Sequence, residues 1–357
     1  MTGSSEAGTA AGIVHDAATR TGGGKAVRTV AGEPAAAPAA PSGGAAPHPR
    51  RESPVGAGRV CGGPSPSEAA SITQLLGLTV DPVRRRGRFV AADHLLNTRG
   101  TLWGGCGLAA AMEFVRVCGG RDGVWAQTQF LAPVEAGRTV DLEIDPAGRG
   151  LSQAVVRATV EGRPVFVTSG TFGRGGGDVT RFAPPAHWAP APEDCPPREY
   201  PTWLDYRDDG LVSLLDQRWA RPARVDLDGT PGTGRSALWL RLRPPLAPAG
   251  AALAVLGDLA PAALIEAIGD MAFGTSLDNH LRLVAPACGP AVLPAGEWIL
   301  LDVRVEGIVR NVAHLGGRMY AGDGTLIAVT GQSVLVHRVR PPERGGVDRA
   351  ARSRLSG

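Results

Sequence analysis

Lysine is all but missing from this chain: Lys25 is the only one, and every other basic residue among the 37 is arginine. Net charge is only +3. With Gly 50 and Pro 30, the arginine excess reads as a coding bias and not as the basic face that nucleic acid requires. Arg84, Arg85 and Arg86 form the one tight basic run; they read as a solvated strand end, with a phosphorylated ligand as the other reading. Five cysteines, an odd number, carry no C-x-x-C pair, which excludes a disulfide framework and a zinc site and suits a reducing, cytoplasmic setting. No metal or cofactor is expected. The N-terminus lacks an apolar h-region after a basic start, so no secretory signal is expected. No run approaches eighteen apolar residues, so no membrane span is expected.

The length of 357 residues and the ordinary apolar content of 43% allow about two domains with a sizeable core. Residues 1–66 hold Ala, Gly, Pro and Ser without sustained periodicity, and are expected to stay disordered. The pattern changes near Glu68. A first unit is expected over 67–175, a linker over 176–215 pinned by Trp188, Tyr200, Trp203 and Tyr206, a second unit over 216–340, and a disordered tail over 341–357. In the first unit Leu108, Ala111, Met112 and Val115 give a helix one buried face, ended by Gly119 and Gly120. Strand patterns follow at Val124–Phe130, Thr139–Ile144, Gln153–Val160 and Pro164–Phe172. The second unit reads as strands at Gln217–Leu227, Ser236–Leu242, Leu277–Leu283, Glu297–Val305, Val309–Ala321 and Thr325–His337. A helix opening at Pro261 interrupts them, with Leu264, Ile265 and Ile268 as its stripe and Gly269 and Gly274 at its end.

The two units repeat each other. G-R-P-V-F-V-T-S-G-T-F from Gly162 matches G-T-L-I-A-V-T-G-Q-S-V from Gly324, and F-L-A-P-V around Pro133 matches L-V-A-P-A around Pro286. Each unit reads strand, helix, then antiparallel strands, an α+β layer arrangement. Two antiparallel sheets are expected, each wrapping one helix, paired like a homodimer fused into one chain. L-W-G-G-C-G-L-A-A-A, Q-F-L-A-P-V, S-L-D-N-H-L-R-L, E-W-I-L-L-D-V and D-G-T-L-I-A-V-T-G-Q, in this order and spacing, resemble the acyl-CoA thioesterase II-like double hotdog thioesterases over roughly residues 70–340. The resemblance implies a double hotdog fold, an acyl-CoA substrate, a homo-oligomer as a common assembly, and hydrolysis by a water held by Asp258, Ser276 and Gln332. Ser276 stands where the family more often has Thr. Gly104, Gly105 and Cys106 stand where it often has G-G-Q.

The residue chemistry fits. Thioester hydrolysis needs a positioned water, a proton acceptor and oxyanion donors. Asp258 can take the proton; Ser276 and Gln332 both donate and accept. The Gly104-Gly105 turn lets a ligand approach backbone N–H groups, and is assigned to carbonyl binding. In the repeat, Asp258 falls opposite Gly104 or its neighbour, Ser276 opposite about Gly123 and Gln332 opposite Gly170, so one active site per pair is the simplest account. As plain structural features, Asp258 would be a helix cap and Ser276 an edge-strand residue. Rival constellations are weaker. Gly150-Leu151-Ser152-Gln153-Ala154 lies between strands, unlike a nucleophile elbow. Cys106 reads better as a buried thiol than as a nucleophile. His280 with Asp278 could serve an enoyl-CoA hydratase, and a non-catalytic acyl-CoA-binding protein is the third alternative.

Overall fold

The computed structural model describes residues 70–147, 153–173, 188–200, 209–222, 224, 226–247, 249–284 and 296–339. The tails expected to be disordered, and Ser152 of the elbow-like stretch, lie outside the described residues. In chain order the elements are β1 (Ala70–Ser71), α1 (Ile72–Leu76), β2 (Thr79–Asp81), β3 (Arg86–Val90), α2 (Gly104–Gly119), β4 (Asp122–Phe130), β5 (Thr139–Ala147), β6 (Gln153–Val160) and β7 (Arg163–Gly173). They continue with β8 (Leu215–Arg221), β9 (Arg235–Leu242), β10 (Leu246–Ala247), α3 (Ala249–Gly257), α4 (Leu264–Ile268), β11 (Ala272–Leu283), β12 (Ile299–Val309), β13 (Val312–Tyr320) and β14 (Leu326–Arg338).

The two expected sheets are one. Twelve strands run in the order β2-β3-β5-β6-β7-β4-β11-β14-β13-β12-β9-β8, every neighbouring pair antiparallel. Each half would leave an edge at β4 or β11, and joining those two strands satisfies both rows of unpaired backbone groups. The repeat spacing that sets Pro133 on Pro286 also sets Gln127 on His280, and these two residues face each other across the β4–β11 junction. The local pseudo-twofold axis therefore passes there. A separate two-residue parallel pair joins β1 to β10.

Helix α2 begins and ends where its glycines place it, with Gly120 in the left-handed region as C-cap. Its burial exceeds expectation. Gly105 through Val115 are all buried, so the first turns are enclosed on every side and not on one face. Glu113 is buried among them because Arg116 holds it at 2.7 Å and Thr73 donates at 2.5 Å. The second helix starts earlier than Pro261. Helix α3 occupies Ala249–Gly257, a 3-10 turn spans Ala260–Ala263 with Pro261 in its first positions, and α4 follows to the Gly269 cap. Small and aliphatic residues in α3 leave no polar face, which is the pattern of an enclosed helix. Gly250–Ile268 is 19 residues long with mean hydropathy 1.8, enough by length and composition for a membrane span, and 72% of it is buried inside the fold as core.

Most strand boundaries moved, furthest at the end of β8 and the start of β11. Strand β8 stops at Arg221 and not at Leu227, since Pro222 has no N–H for the ladder. Strand β11 starts at Ala272, so Gly274 lies inside it; a Cβ there would sit 2.9 Å from the Val334 side chain. Within the segment read as a linker, residues 188–200 run along the outer side of the β8 end. Pro197 bridges Arg218, Trp239 donates to the Pro190 carbonyl at 2.9 Å, and Tyr200 donates to Gln217. Arg221 stacks on Trp188. Trp203 and Tyr206 lie outside the described residues.

Candidate active site

Asp258 follows the last residue of α3, at the break that the 3-10 turn then closes. Its side chain caps neither the 3-10 turn nor α4, whose N-termini have no side-chain cap. Its Oδ2 accepts the Gly105 N–H at 2.9 Å, in the first turn of α2, whose own N-cap residue Trp103 makes no side-chain cap. A carboxylate from the second half thus serves the positive end of the first half's helix. The close approach is fixed by size: a Cβ at Gly105 would lie 2.6 Å from the Ala254 carbonyl and 2.9 Å from Val255 Cα. Trp103 locks the same contact by donating its indole N–H to the Val255 carbonyl at 3.1 Å.

The other oxygen, Oδ1, collects side-chain donors. Gln332 donates to it through Nε2, Asn279 through Nδ2 at 3.2 Å, and Ser276 through Oγ at 3.5 Å. Gln332 also reaches Ser276 at 3.3 Å. Asp258 is 7% exposed, Gln332 4% and Asn279 1%. Residues 18 and 74 positions from Asp258 are therefore in direct contact with it, closer than a bridging water would leave them. The Gln332 Oε1 is buried with no hydrogen-bond partner. Such an orphaned acceptor is costly unless a ligand or water answers it.

Burial pushes the Asp258 carboxyl up to about 7, against the opposing pull of the Gly105 N–H, Gln332, Ser276 and Asn279. The group can thus both take and return a proton near neutrality. Cys106, one residue after Gly105, is fully buried, and burial together with the nearby Asp258 charge raises its thiol far above the ordinary value. It stays a packed thiol, not a nucleophile.

Asn279 is the residue that strand alternation hides. In a regular strand, residues three apart point to opposite faces. Between Ser276 and Asp278 the β11–β14 register shifts, leaving Leu277 unpaired. This bulge inserts one residue and returns Ser276 and Asn279 to the same face. An apolar-polar alternation signal cannot show a bulge, so the sequence does not mark Asn279.

The carboxylate lies in the wall of a cavity of about 760 Å³. Gly104, Phe130, Phe166, Ser276 and Ile265 line it, with Trp103 and Leu259 beside them. A Cβ on Gly104 would stand 3.0 Å from the Phe130 ring and 3.1 Å from Asp258 Oδ2. Gly105 differs from the expectation: its N–H is held by Asp258 and is not free for a carbonyl. Arg99, Thr275 and Phe273 also line the cavity. Arg99 is exposed, stacks 4.5 Å from the Phe273 ring centre and donates to Thr275 at 2.8 Å.

The rival groups stand elsewhere. His280 is turned away from Asn279 and packs over Gly331, where a Cβ would meet its ring at 2.5 Å. Asp278 accepts the Ser333 N–H at 2.7 Å. Neither is among the residues lining the cavity; Gln332 is not among them either, but it touches the lining residues Asp258 and Ser276, which the other two do not. Arg84 and Arg86 reach Asp81 and Glu143 at an exposed strand end. In the repeat positions of the first half, Gly123 and Gly170 are closed in: a Cβ would meet Met112 at 2.9 Å and the Trp125 carbonyl at 2.6 Å.

Residues 192–336 match the family model described as acyl-CoA thioesterase C-terminal domain. No curated protein matches the chain. Among solved structures, a thioesterase candidate from Novosphingobium aromaticivorans is similar at 28% identity and TM-score 0.60, covering 72% of this chain and 97% of its own. A thioesterase II candidate from Thermobifida fusca aligns at 16% identity and TM-score 0.62, covering 76% and 98%. An acyl-CoA thioesterase II from Mycobacterium marinum aligns at 21% identity and TM-score 0.55, covering 75% and 99%; these last two matches bear on the fold alone. With the matched domain and the continuous antiparallel sheet around its helices, the chain has a double hotdog architecture and is similar to thioester hydrolases of the acyl-CoA thioesterase II type.

Proposed function

We propose that this chain hydrolyses acyl-CoA thioesters with a water activated by Asp258 and oriented by Ser276 and Gln332. The observation that carries the reading is a buried, donor-ringed carboxylate in the wall of an apolar cavity, held against a helix N-terminus. Asp258 takes a proton from the water as the water oxygen bonds to the thioester carbonyl carbon. The tetrahedral intermediate collapses, the C–S bond breaks, and the CoA sulfur leaves with the proton that Asp258 returns. The products are the free acid and CoA thiol. The orphaned Gln332 Oε1 is suited to accept from the water's second hydrogen. The Gly104 N–H, one position ahead of the engaged Gly105, is assigned to the carbonyl oxygen, where the α2 dipole favours developing negative charge. The acyl group occupies the apolar cavity and the nucleotide stays at the mouth, beside Arg99.

One such site serves the pair of repeats, because the matching first-half positions are glycines enclosed by Met112, Trp125 and Phe172. A role in acyl-CoA turnover in the cytoplasm is the setting we infer, with Cys106, Cys118 and Cys195 all free thiols. The test is steady-state thiol release from acyl-CoAs of several lengths, for the wild type and Asp258→Asn. Hydrolysis that Asp258→Asn abolishes supports the reading. Tight acyl-CoA binding without thiol release would make this a binding protein instead. A change in enoyl absorbance without thiol release would move the chemistry to a hydratase.

A further inference from the structure

We propose that Asn279 is a positioning residue for this hydrolysis: its buried amide holds one oxygen of Asp258 so that the other faces the cavity. The inference rests on the reading of Asp258 as the base. Its own support is geometric. Asn279 is 1% exposed, and its Nδ2 lies 3.2 Å from Asp258 Oδ1. Oδ1 is the oxygen that Gln332 and Ser276 also approach, so three side-chain donors surround it. Oδ2 has the Gly105 N–H and lies beside Gly104, a cavity-lining residue. A carboxylate pinned this way cannot rotate without breaking bonds at both oxygens, so it presents the same edge to each water.

The bulge at Leu277 gives the placement its specificity. Without the extra residue, Asn279 would point to the other sheet face and away from Asp258. Asn279 also sits directly opposite Thr128 across the junction between the repeats. Thr128 in turn shares a 2.7 Å hydroxyl contact with Thr168. This puts Asn279 at the one point where the active carboxylate, the bulge and the junction strand meet. Its repeat counterpart is Ala126, which has no donor.

The groups facing Asp258 limit what a pH measurement reports. From α2 they are the Gly105 N–H and the thiol of Cys106, which burial keeps protonated. From β11 they are Ser276 and Asn279, and from β14 Gln332, all neutral. The acid limb of the rate profile therefore follows Asp258 itself.

The experiment compares Asn279→Leu and Asn279→Asp with the wild type, measuring kcat, KM, melting temperature and the pH dependence of kcat on one acyl-CoA. Losing a hydrogen bond to a charged group should lower kcat on the order of 10- to 100-fold. KM should change little. The acid limb should move to higher pH in both variants, since Asn279→Leu removes a donor and Asn279→Asp adds a like charge. A role in packing alone would lower the melting temperature and leave the limb of the folded enzyme in place. If Asn279→Leu fails to fold, Asn279→Ala, which removes the donor without adding a charge, decides the matter. A wild type that hydrolyses acyl-CoA, with variants whose acid limb stays put, overturns the positioning role. A wild type that releases no thiol overturns the hydrolase reading beneath it.

Discussion

Asp258 gathers a backbone donor and three side-chain donors, and its chemistry is testable atom by atom. Asp258→Asn removes the proton acceptor and should lower kcat about 10²- to 10⁴-fold with acyl-CoA affinity nearly kept. Ser276→Ala and Gln332→Ala should each cost less. The double variant should fall short of the product of the two losses, because in the proposed mechanism both act on the same water and carboxylate. The wild-type rate should rise with pH through the Asp258 value of about 7 and then level, as the base must be ionised. Stability runs the other way. An unfolded Asp titrates near about 4, so the folded state holds an extra proton between that value and about 7. Wild-type stability should decline as pH rises across that window, relative to Asp258→Asn, by an amount on the order of a few kcal/mol at full ionisation. Chemical denaturation of both proteins at pH 4 and pH 8 checks the sign; a gap that does not widen at pH 8 would show that burial does not penalise this carboxylate.

At the scale of elements, the site depends on two helices touching and one strand bulging. Glycine inside a helix normally costs about 1 kcal/mol relative to alanine. At Gly105 the order should reverse, because the added methyl would meet the Ala254 carbonyl at 2.6 Å and force α2 away from α3. Gly105→Ala should destabilise by about 1–3 kcal/mol and also weaken the N–H contact to Asp258. Thermal melting and kcat measured together read both effects. Gly104→Ala is the milder neighbour in stability, since the Phe130 ring and the Asp258 side chain can shift, but it crowds the assigned carbonyl position. It should lower kcat/KM more than it lowers the melting temperature.

At the scale of the whole molecule, the continuous sheet brings the first half's helix end against the second half's carboxylate, so the proposed site draws on both halves. At the cavity mouth Arg99 is held by Phe273 and Thr275, and no carboxylate pairs with it among the described residues. In the proposed substrate complex it would meet a phosphate that remains in water. Arg99→Ala should raise KM for an acyl-CoA several-fold and leave KM for the matching acyl-pantetheine unchanged. Equal effects on both substrates would assign Arg99 to local packing. Val60–Gly357 forms one compact unit, so a chain starting at Val60 should keep its melting temperature and kcat/KM.

The sequence by itself determined the repeat, the α+β class and the glycine-capped end of α2, while Asp258, Ser276 and Gln332 stood out through the family resemblance. Those follow from local signals: periodicity, caps, and motifs in fixed order. It also pointed to the glycine substitutions in the first copy, which the structure shows enclosed by side chains and backbone. Only the tertiary structure decided that the two sheets are one, because strand edges carry no mark of their partner. It placed the second helix's start at Ala249, where a uniformly apolar run has no period to reveal a boundary. It turned Asp258 from a cap of its own helix into a cap of α2, a contact between residues 153 positions apart. And it brought in Asn279, since a bulge is set by pairing with β14 and not by the order of side chains along β11.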